Sequence, residues 1–241
     1  MMFSDYLFDI VAVVWFVSIW AGYGHYSDYR GKKRPTLSST LDLYRGDWMR
    51  RVLMRENRIS DASVLGNLER NGAFFASSSL LIMAGILTAI GYADEAMAVF
   101  QGFPAVTNNG QTMWELKLAT LLVVFIYSFF KFTWSMRQYN FCSVLIGSAP
   151  LVHEEKVSPA ARKAFANSAA EVANLAGDTF NLGLRSYYYA LAVLAWFIHP
   201  LAFMVAFMVA STAVVVILYQ REFYSRALRV LRSGKDFDDD K

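Results

Sequence analysis

Apolar residues in this chain gather into long runs separated by polar stretches. One run covers residues 7–23, through VAVVWFVSIWAGY, and others cover 72–92, 116–132 and 187–219. About 20 predominantly apolar residues suffice for a helix to cross the roughly 30 Å hydrocarbon core of a bilayer. The last run holds 33 residues, and as one helix it would reach about 50 Å at 1.5 Å per residue. His199-Pro200 near its middle resolves this, because the residue before a proline leaves helical geometry and proline suits the first turn of the next helix. Residues 186–198 are too short to cross alone, so the fourth helix must begin near Thr179 and bring Arg185 to the interface. The pattern predicts an all-α polytopic bundle of five membrane segments, with a re-entrant hairpin tipped by His199-Pro200 as the alternative to a tight turn.

Charge orients the bundle. Of 23 Lys and Arg residues, all but Lys117 and Lys131 fall in 25–71, 137–185 and 221–241. Connections rich in Lys and Arg stay cytosolic. The amino terminus, with Asp5 and Asp9 and no basic residue, is therefore expected outside, and the carboxyl terminus inside. An amino-terminal stretch without a positive region also argues against a signal peptide. Residues 93–111, with Asp94, Glu95 and an Asn-Asn-Gly turn, read as an outer loop. We read one membrane domain over 1–241, with a cytosolic helical layer at 25–71 and 137–178 and a disordered acidic tail at 233–241.

Several helices should extend beyond the membrane. Ser158-Pro159 pairs a capping residue with proline at the first helical position, and no proline follows before Pro200, so one helix is expected over 159–198. Gly177 and Gly183 are where it would bend. The third span should continue to Gly147, with Pro150 as a stop. Ser39 and Asp42 form a candidate capping box for a helix whose apolar face carries Leu41, Tyr44, Trp48 and Val52. With Arg51, Arg55 and Arg58 nearby, Trp48 and these arginines are candidate contacts for anionic lipid headgroups. The competing reading packs the apolar face on other helices and leaves the arginines to solvent.

The most organised polar pattern lies on the fourth helix. Asn167, Glu171, Asn174, Asp178, Asn181 and Arg185 are spaced by 4, 3, 4, 3 and 4, which keeps them on one face. Asp178, Asn181 and Arg185 would be costly against lipid and need protein, water or a cavity. Asn67, Glu69, Arg70 and Asn71 sit where the second span enters, at the same depth, so the two clusters could meet. Asn67-Leu68 precedes Phe74-Phe75-Ala76 at the offset by which Asn181-Leu182 precedes Tyr188-Tyr189-Ala190, which hints at a repeat. The stripe has three readings: a structural network, a solvated face, or a pathway for an ion or polar solute.

Composition narrows the chemistry. The chain has 241 residues, is 56% apolar and 18% charged, and carries a net charge of +3 with basic and acidic residues interleaved, so nucleic acid is not an expected partner. Cys142 is the single cysteine, which excludes an internal disulfide. A haem within the bundle needs histidines at matching depth, but His25 and His153 are assigned to the inner side and His199 to the outer turn, which speaks against a cytochrome, and no cofactor or metal is expected. No zinc-hydrolase, nucleotide-binding or nucleophile-elbow motif is present. Ser77, Ser78 and Ser79 suit close helix packing.

The stretches GNLERNGAFFASSSLLIMAG and FNLGLRSYYYALAVLAWFIHP, with YQREF after the last span, make the chain resemble an uncharacterised family of bacterial integral membrane proteins with plant relatives, known by a domain-of-unknown-function label. The resemblance covers roughly 7–230, and the DFDDDK ending lies outside it. It implies a multi-pass protein of the bacterial cytoplasmic membrane and brings no activity. From the residues themselves we expect a homo-oligomeric channel or transporter. The alternatives are a scaffold that docks anionic lipid or a cytosolic partner, and a lipid-modifying enzyme using Glu69 or Asp178 with Arg70.

Overall fold

A computed structural model describes residues 10–11, 13–20, 22, 37–101, 111–197, 205, 208–217 and 230. Among these residues every regular element is helical. After a helical stretch at 13–20 come α1 (Leu37–Val52), α2 (Ile59–Gly91), α3 (Ala93–Gln101), α4 (Gln111–Ser148) and α5 (Pro159–Leu194). A 3-10 turn, Ala195–Phe197, follows α5, and α6 is Met208–Ile217. The His199-Pro200 turn, Asp5, Asp9, His25 and the 233–241 tail lie outside the described residues.

Local chemistry explains the boundaries. Ser158 Oγ accepts the Ala161 amide at 3.2 Å and Pro159 opens α5, as the Ser-Pro signal predicts. Asn57 Oδ1 accepts the Ile59 amide at 2.9 Å at the start of α2. Two expectations need correction. α1 begins at Leu37, so Ser39 lies inside the helix, and Asp42 accepts a bond from Arg45 one turn onward at 2.8 Å. A carboxylate with a guanidinium at i+3 has a charged partner on its own surface, which competes with the capping box. The presumed outer loop is also partly helical. Ala93–Gln101 forms α3, whose first turn holds Asp94 and Glu95, suitably placed for the positive end of the helix dipole.

The chain divides into two compact units, and the division falls inside α2, α4 and α5. One unit comprises Met1–Arg34, Ser79–Ser128 and Leu184–Arg221. Its core is aromatic: Phe16, Trp20 and Tyr189 meet at 5.6–5.9 Å between ring centroids, and Trp20 stands edge-on to Tyr127 at 5.3 Å. The buried Lys117 ammonium lies 5.7 Å from the Trp196 ring and 5.9 Å from Phe197, where cation–π attraction helps offset its desolvation. Ser79 Oγ and the Tyr187 hydroxyl share a hydrogen bond at 3.1 Å.

The second unit comprises Pro35–Ser78, Phe129–Gly183 and Glu222–Lys241. Here α5 presents Ala166, Ala169, Ala170, Ala173 and Ala176, all buried. Small side chains let backbones approach, and Ser135 Oγ of α4 donates to the Ala176 carbonyl at 2.7 Å. Gly183 is needed for the same reason: a Cβ there would stand 2.7 Å from Phe132 Cε1. Phe132 in turn stacks on Phe75 at 5.0 Å and meets Phe180 at 5.3 Å. Met49 and Val52 of α1 complete this core with Leu65, Tyr139, Cys142 and Ile146.

Two helices, α2 and α4, are long and apolar enough to cross a membrane, with mean hydropathies of 2.0 and 1.7 over their most apolar 18 residues. Only 17% of that stretch of α2 and 39% of that of α4 is buried. The core helix of a water-soluble protein would bury most of such a face, so these surfaces call for an apolar surrounding.

Candidate functional site

The α5 stripe shows a gradient of exposure. Asn167 and Glu171 stand at the surface, Asn174 and Asn181 are half-buried, and Asp178 is exposed, accepting a 2.5 Å hydrogen bond from Ser38 Oγ of α1. Arg185, half-buried, belongs to the aromatic unit. The Asn174 Oδ1 atom is buried without a hydrogen-bond partner among the described residues. Glu171 makes no hydrogen bond or ion pair among the described residues, so its carboxylate is available to water or to another molecule.

The α2 cluster faces elsewhere. Glu69 Oε1 accepts Ser143 Oγ of α4 at 3.2 Å, Arg70 donates to Asn67, and Asn67 and Asn71 are exposed. Among the described residues no hydrogen bond or ion pair joins Asn67, Glu69, Arg70 or Asn71 to the stripe from Asn167 to Asn181. The physical reason is α4, which bonds α2 through Ser143 and α5 through Ser135 and so keeps the two clusters on separate helix pairs. Beside Glu69 lies a cleft of about 440 Å³ lined by Glu69, Thr133, Met136, Arg137, Asn140 and Phe141.

The residues nominated for lipid contact have mostly internal duties. Asp61 is only 2% exposed, and it accepts bonds from Trp48 Nε1 at 2.7 Å and Arg55 Nη1 at 2.5 Å. A buried carboxylate needs such donors, because isolation from water costs far more than exposure. Arg58 Nη1 donates to the carbonyls of Ile146 (3.2 Å) and Ala149 (2.7 Å), and its Nη2 to Pro150 (2.7 Å). A fork of cationic donors thus closes the carboxyl end of α4, where orphan carbonyls and the negative helix pole converge. Trp48, Arg55 and Arg58 thus each hold an internal partner, although Arg55 is exposed, as is Arg51.

A family model matches residues 11–227, nearly the whole chain. The protein belongs to DUF599, a family of unknown function. No curated protein and no solved structure matches it.

For this DUF599 member the sequence reading missed the cleft, although its signal was present. Thr133, Met136, Arg137 and Asn140 recur at i, i+3, i+4 and i+7, one helical face just past the apolar run of α4. It also missed Asp61 as a buried hub, because neither partner in its fork is a regular helical neighbour: Trp48 lies 13 residues back and Arg55 6. The cleft combines an acid, a base, an amide and apolar walls in one place, which suits recognition of a polar group attached to an apolar body.

Proposed function

We propose that this DUF599 protein is a five-segment protein of the bacterial cytoplasmic membrane, amino terminus outside and carboxyl terminus inside, whose copies assemble around a pathway for an ion or small polar solute. Support for membrane residence comes from the apolar, largely unburied surface of α2. The extra segments are those of the apolar runs at 7–23 and 187–219. The cytosolic layer is 25–71 and 137–178, whose described residues belong to the alanine-rich unit.

The observation that carries the pathway reading is the exposed Asn167, Glu171 and Asp178 on one face of α5, whose other faces pack through alanines. Among the described residues the one hydrogen bond to these three exposed side chains is that of Ser38 to Asp178. Symmetric copies would turn this face into rings of carboxylates and amides that attract cations. Glu171→Gln is the clean test, since Glu171 holds no bond among the described residues, whereas Asp178 also ties α1 to α5. In liposomes, the variant should assemble as the wild type does and pass a cation more slowly; unchanged flux in a correctly assembled variant refutes the reading.

A second reading, a docking platform for anionic lipid or a cytosolic partner, draws on Met54 and Ile59, exposed at 76% and 74% beside the exposed Arg51. Replacing Met54, Ile59 and Arg51 together by Gln should then reduce co-purified anionic lipid or partner at unchanged thermal stability. Equal recovery would dismiss it.

A further inference from the structure

We propose that the cleft between α2 and α4 binds a phospholipid headgroup bearing both a primary ammonium and a phosphate. The proposal rests on the membrane reading above and not on the pathway reading. Three observations carry it.

Opposite charges face the same space without neutralising each other. Glu69 and Arg137 both line the cleft, yet no ion pair joins them among the described residues. Glu69 is steadied by the Ser143 hydroxyl, and the Arg137 guanidinium lies 5.8 Å from the Phe141 ring centroid. A zwitterion satisfies both charges at once, its ammonium at Glu69 and its phosphate at Arg137, through charge-assisted hydrogen bonds. Asn140 adds a donor and an acceptor on the same wall.

The helices are also held so that the cleft persists. At Gly72 an added Cβ would come within 2.5 Å of Met136 Cγ, so α2 and α4 touch there. One turn along α2, Glu69 bonds α4 again through Ser143, and the cleft lies beside this second contact. Its volume of about 440 Å³ falls within the roughly 300–1,000 Å³ of small-molecule sites.

Depth and surroundings select a lipid over a free solute. With 116–132 as the spanning part of α4, Thr133 to Arg137 rise about 6 Å, matching an interfacial layer of roughly 5–8 Å per leaflet. Phe74, Phe130 and Trp134 are exposed at 67%, 63% and 52% on the same two helices. They offer apolar surface for the glycerol and upper acyl carbons, with tryptophan at its preferred interfacial depth. A trimethylammonium cannot donate to Glu69, and a phosphatidylglycerol brings no cation to it, so the site should discriminate by headgroup.

Native mass spectrometry of the detergent-extracted full chain with equimolar phosphatidylethanolamine, phosphatidylcholine and phosphatidylglycerol tests this. Wild type should retain the ethanolamine lipid over the other two by on the order of ten-fold, the size of one charge-assisted hydrogen bond. Glu69→Gln should equalise the ethanolamine and choline lipids, and Arg137→Gln should lower all three. Glu171→Gln, a carboxylate change elsewhere on the unit, should leave the pattern intact. Protection of Cys142 from maleimide verifies that each variant is folded. Equal retention of the three lipids by wild type, an unaltered preference in Glu69→Gln, or an equal loss in Glu171→Gln overturns the proposal. Displacement of the lipid by millimolar soluble phosphoethanolamine assigns the cleft to a free zwitterion and overturns it as a lipid site. Release of the chain from membranes by alkaline carbonate would instead mark failure of the membrane reading, independently of any adduct pattern.

Discussion

Removing the Arg58 side chain tests whether the fork over the end of α4 holds the alanine-rich unit together. Arg58→Ala deletes three hydrogen bonds to the carbonyls of Ile146, Ala149 and Pro150. Taken singly, bonds from a charged donor contribute about 1.5–3 kcal/mol each. The three share one guanidinium and are not additive, and water can reach the vacated carbonyl of the half-buried Pro150, though less readily those of the buried Ile146 and Ala149. The buried Arg58 Nε makes no hydrogen bond among the described residues, so its desolvation is a cost that the substitution removes. These offsets reduce the net loss to about 2–4 kcal/mol. For a chain of this size that lowers the midpoint of thermal unfolding by roughly 4–16 °C. Arg58→Lys keeps the cation near the helix pole, worth about 0.3–1 kcal/mol, but cannot span three carbonyls, and should recover only that part. Ile146 lies one turn beyond Cys142, which is 1% exposed. Fraying of the last turns should therefore speed maleimide labelling of Cys142 well below the global midpoint. A midpoint shift under about 2 °C with unchanged Cys142 labelling refutes the reasoning. Loss of anionic lipid at unchanged stability would return Arg58 to the membrane surface.

Two glycines on α5 should behave differently. Gly183→Ala drives a methyl against the fully buried Phe132 and should destabilise by about 1–2 kcal/mol after helix propensity is credited; Phe132→Leu should recover part of that in a thermal melt, and a neutral Gly183→Ala would show that the aromatic cluster yields. Gly177→Ala meets only the far end of the Arg45 side chain, so it should be neutral or stabilising by up to about 1 kcal/mol. A marked fall in its midpoint would mean that Arg45 is fixed in place. For the buried hub, Asp61→Asn retains an acceptor for Trp48 while discarding the charge that meets Arg55, and should cost about 1–2 kcal/mol. Arg55→Gln should cost more, about 3 kcal/mol, because it strips the cation from the buried Asp61 carboxylate, whereas in Asp61→Asn the 44% exposed Arg55 can turn to water. Denaturant unfolding of both variants checks the order, and the reverse order would contradict a buried Asp61 charge that depends on Arg55.

What the sequence made legible were features written in runs and punctuation. Apolar periodicity and the Ser158-Pro159 signal anticipated the long helices α4 and α5, because capping and proline chemistry act within a few residues. The capping box at Ser39 misled for an equally local reason, namely the competing Arg45 partner. Residues 93–101 misled because turn signals at Asn108-Asn109-Gly110 were extended backward over a helix-forming stretch. Long-range choices were illegible: that Trp48 turns its indole to Asp61, that Arg58 reaches 88 to 92 residues along the chain, or that Gly183 makes room for Phe132. Each depends on which helices become neighbours, and no period within one helix encodes that.

The arrangement of α4 explains why the two candidate surfaces should operate independently. At about 100° per residue, Ser135, Tyr139, Cys142 and Ile146 form one face, which meets α5 and the alanine core. Thr133, Arg137 and Asn140 form the face turned to the cleft with α2. Glu69 acts on one side of this helix and Glu171 on another helix beyond it, with no shared hydrogen-bond partner among the described residues. Groups related in this way combine additively to within about 0.3–0.5 kcal/mol. Glu69→Gln combined with Glu171→Gln should thus show headgroup selectivity as altered as in the first variant and ion flux as altered as in the second. A larger coupling would require a conformational change of α4 itself, with the Arg58 cap as the first place to look, since it fixes the end of the helix that both surfaces share.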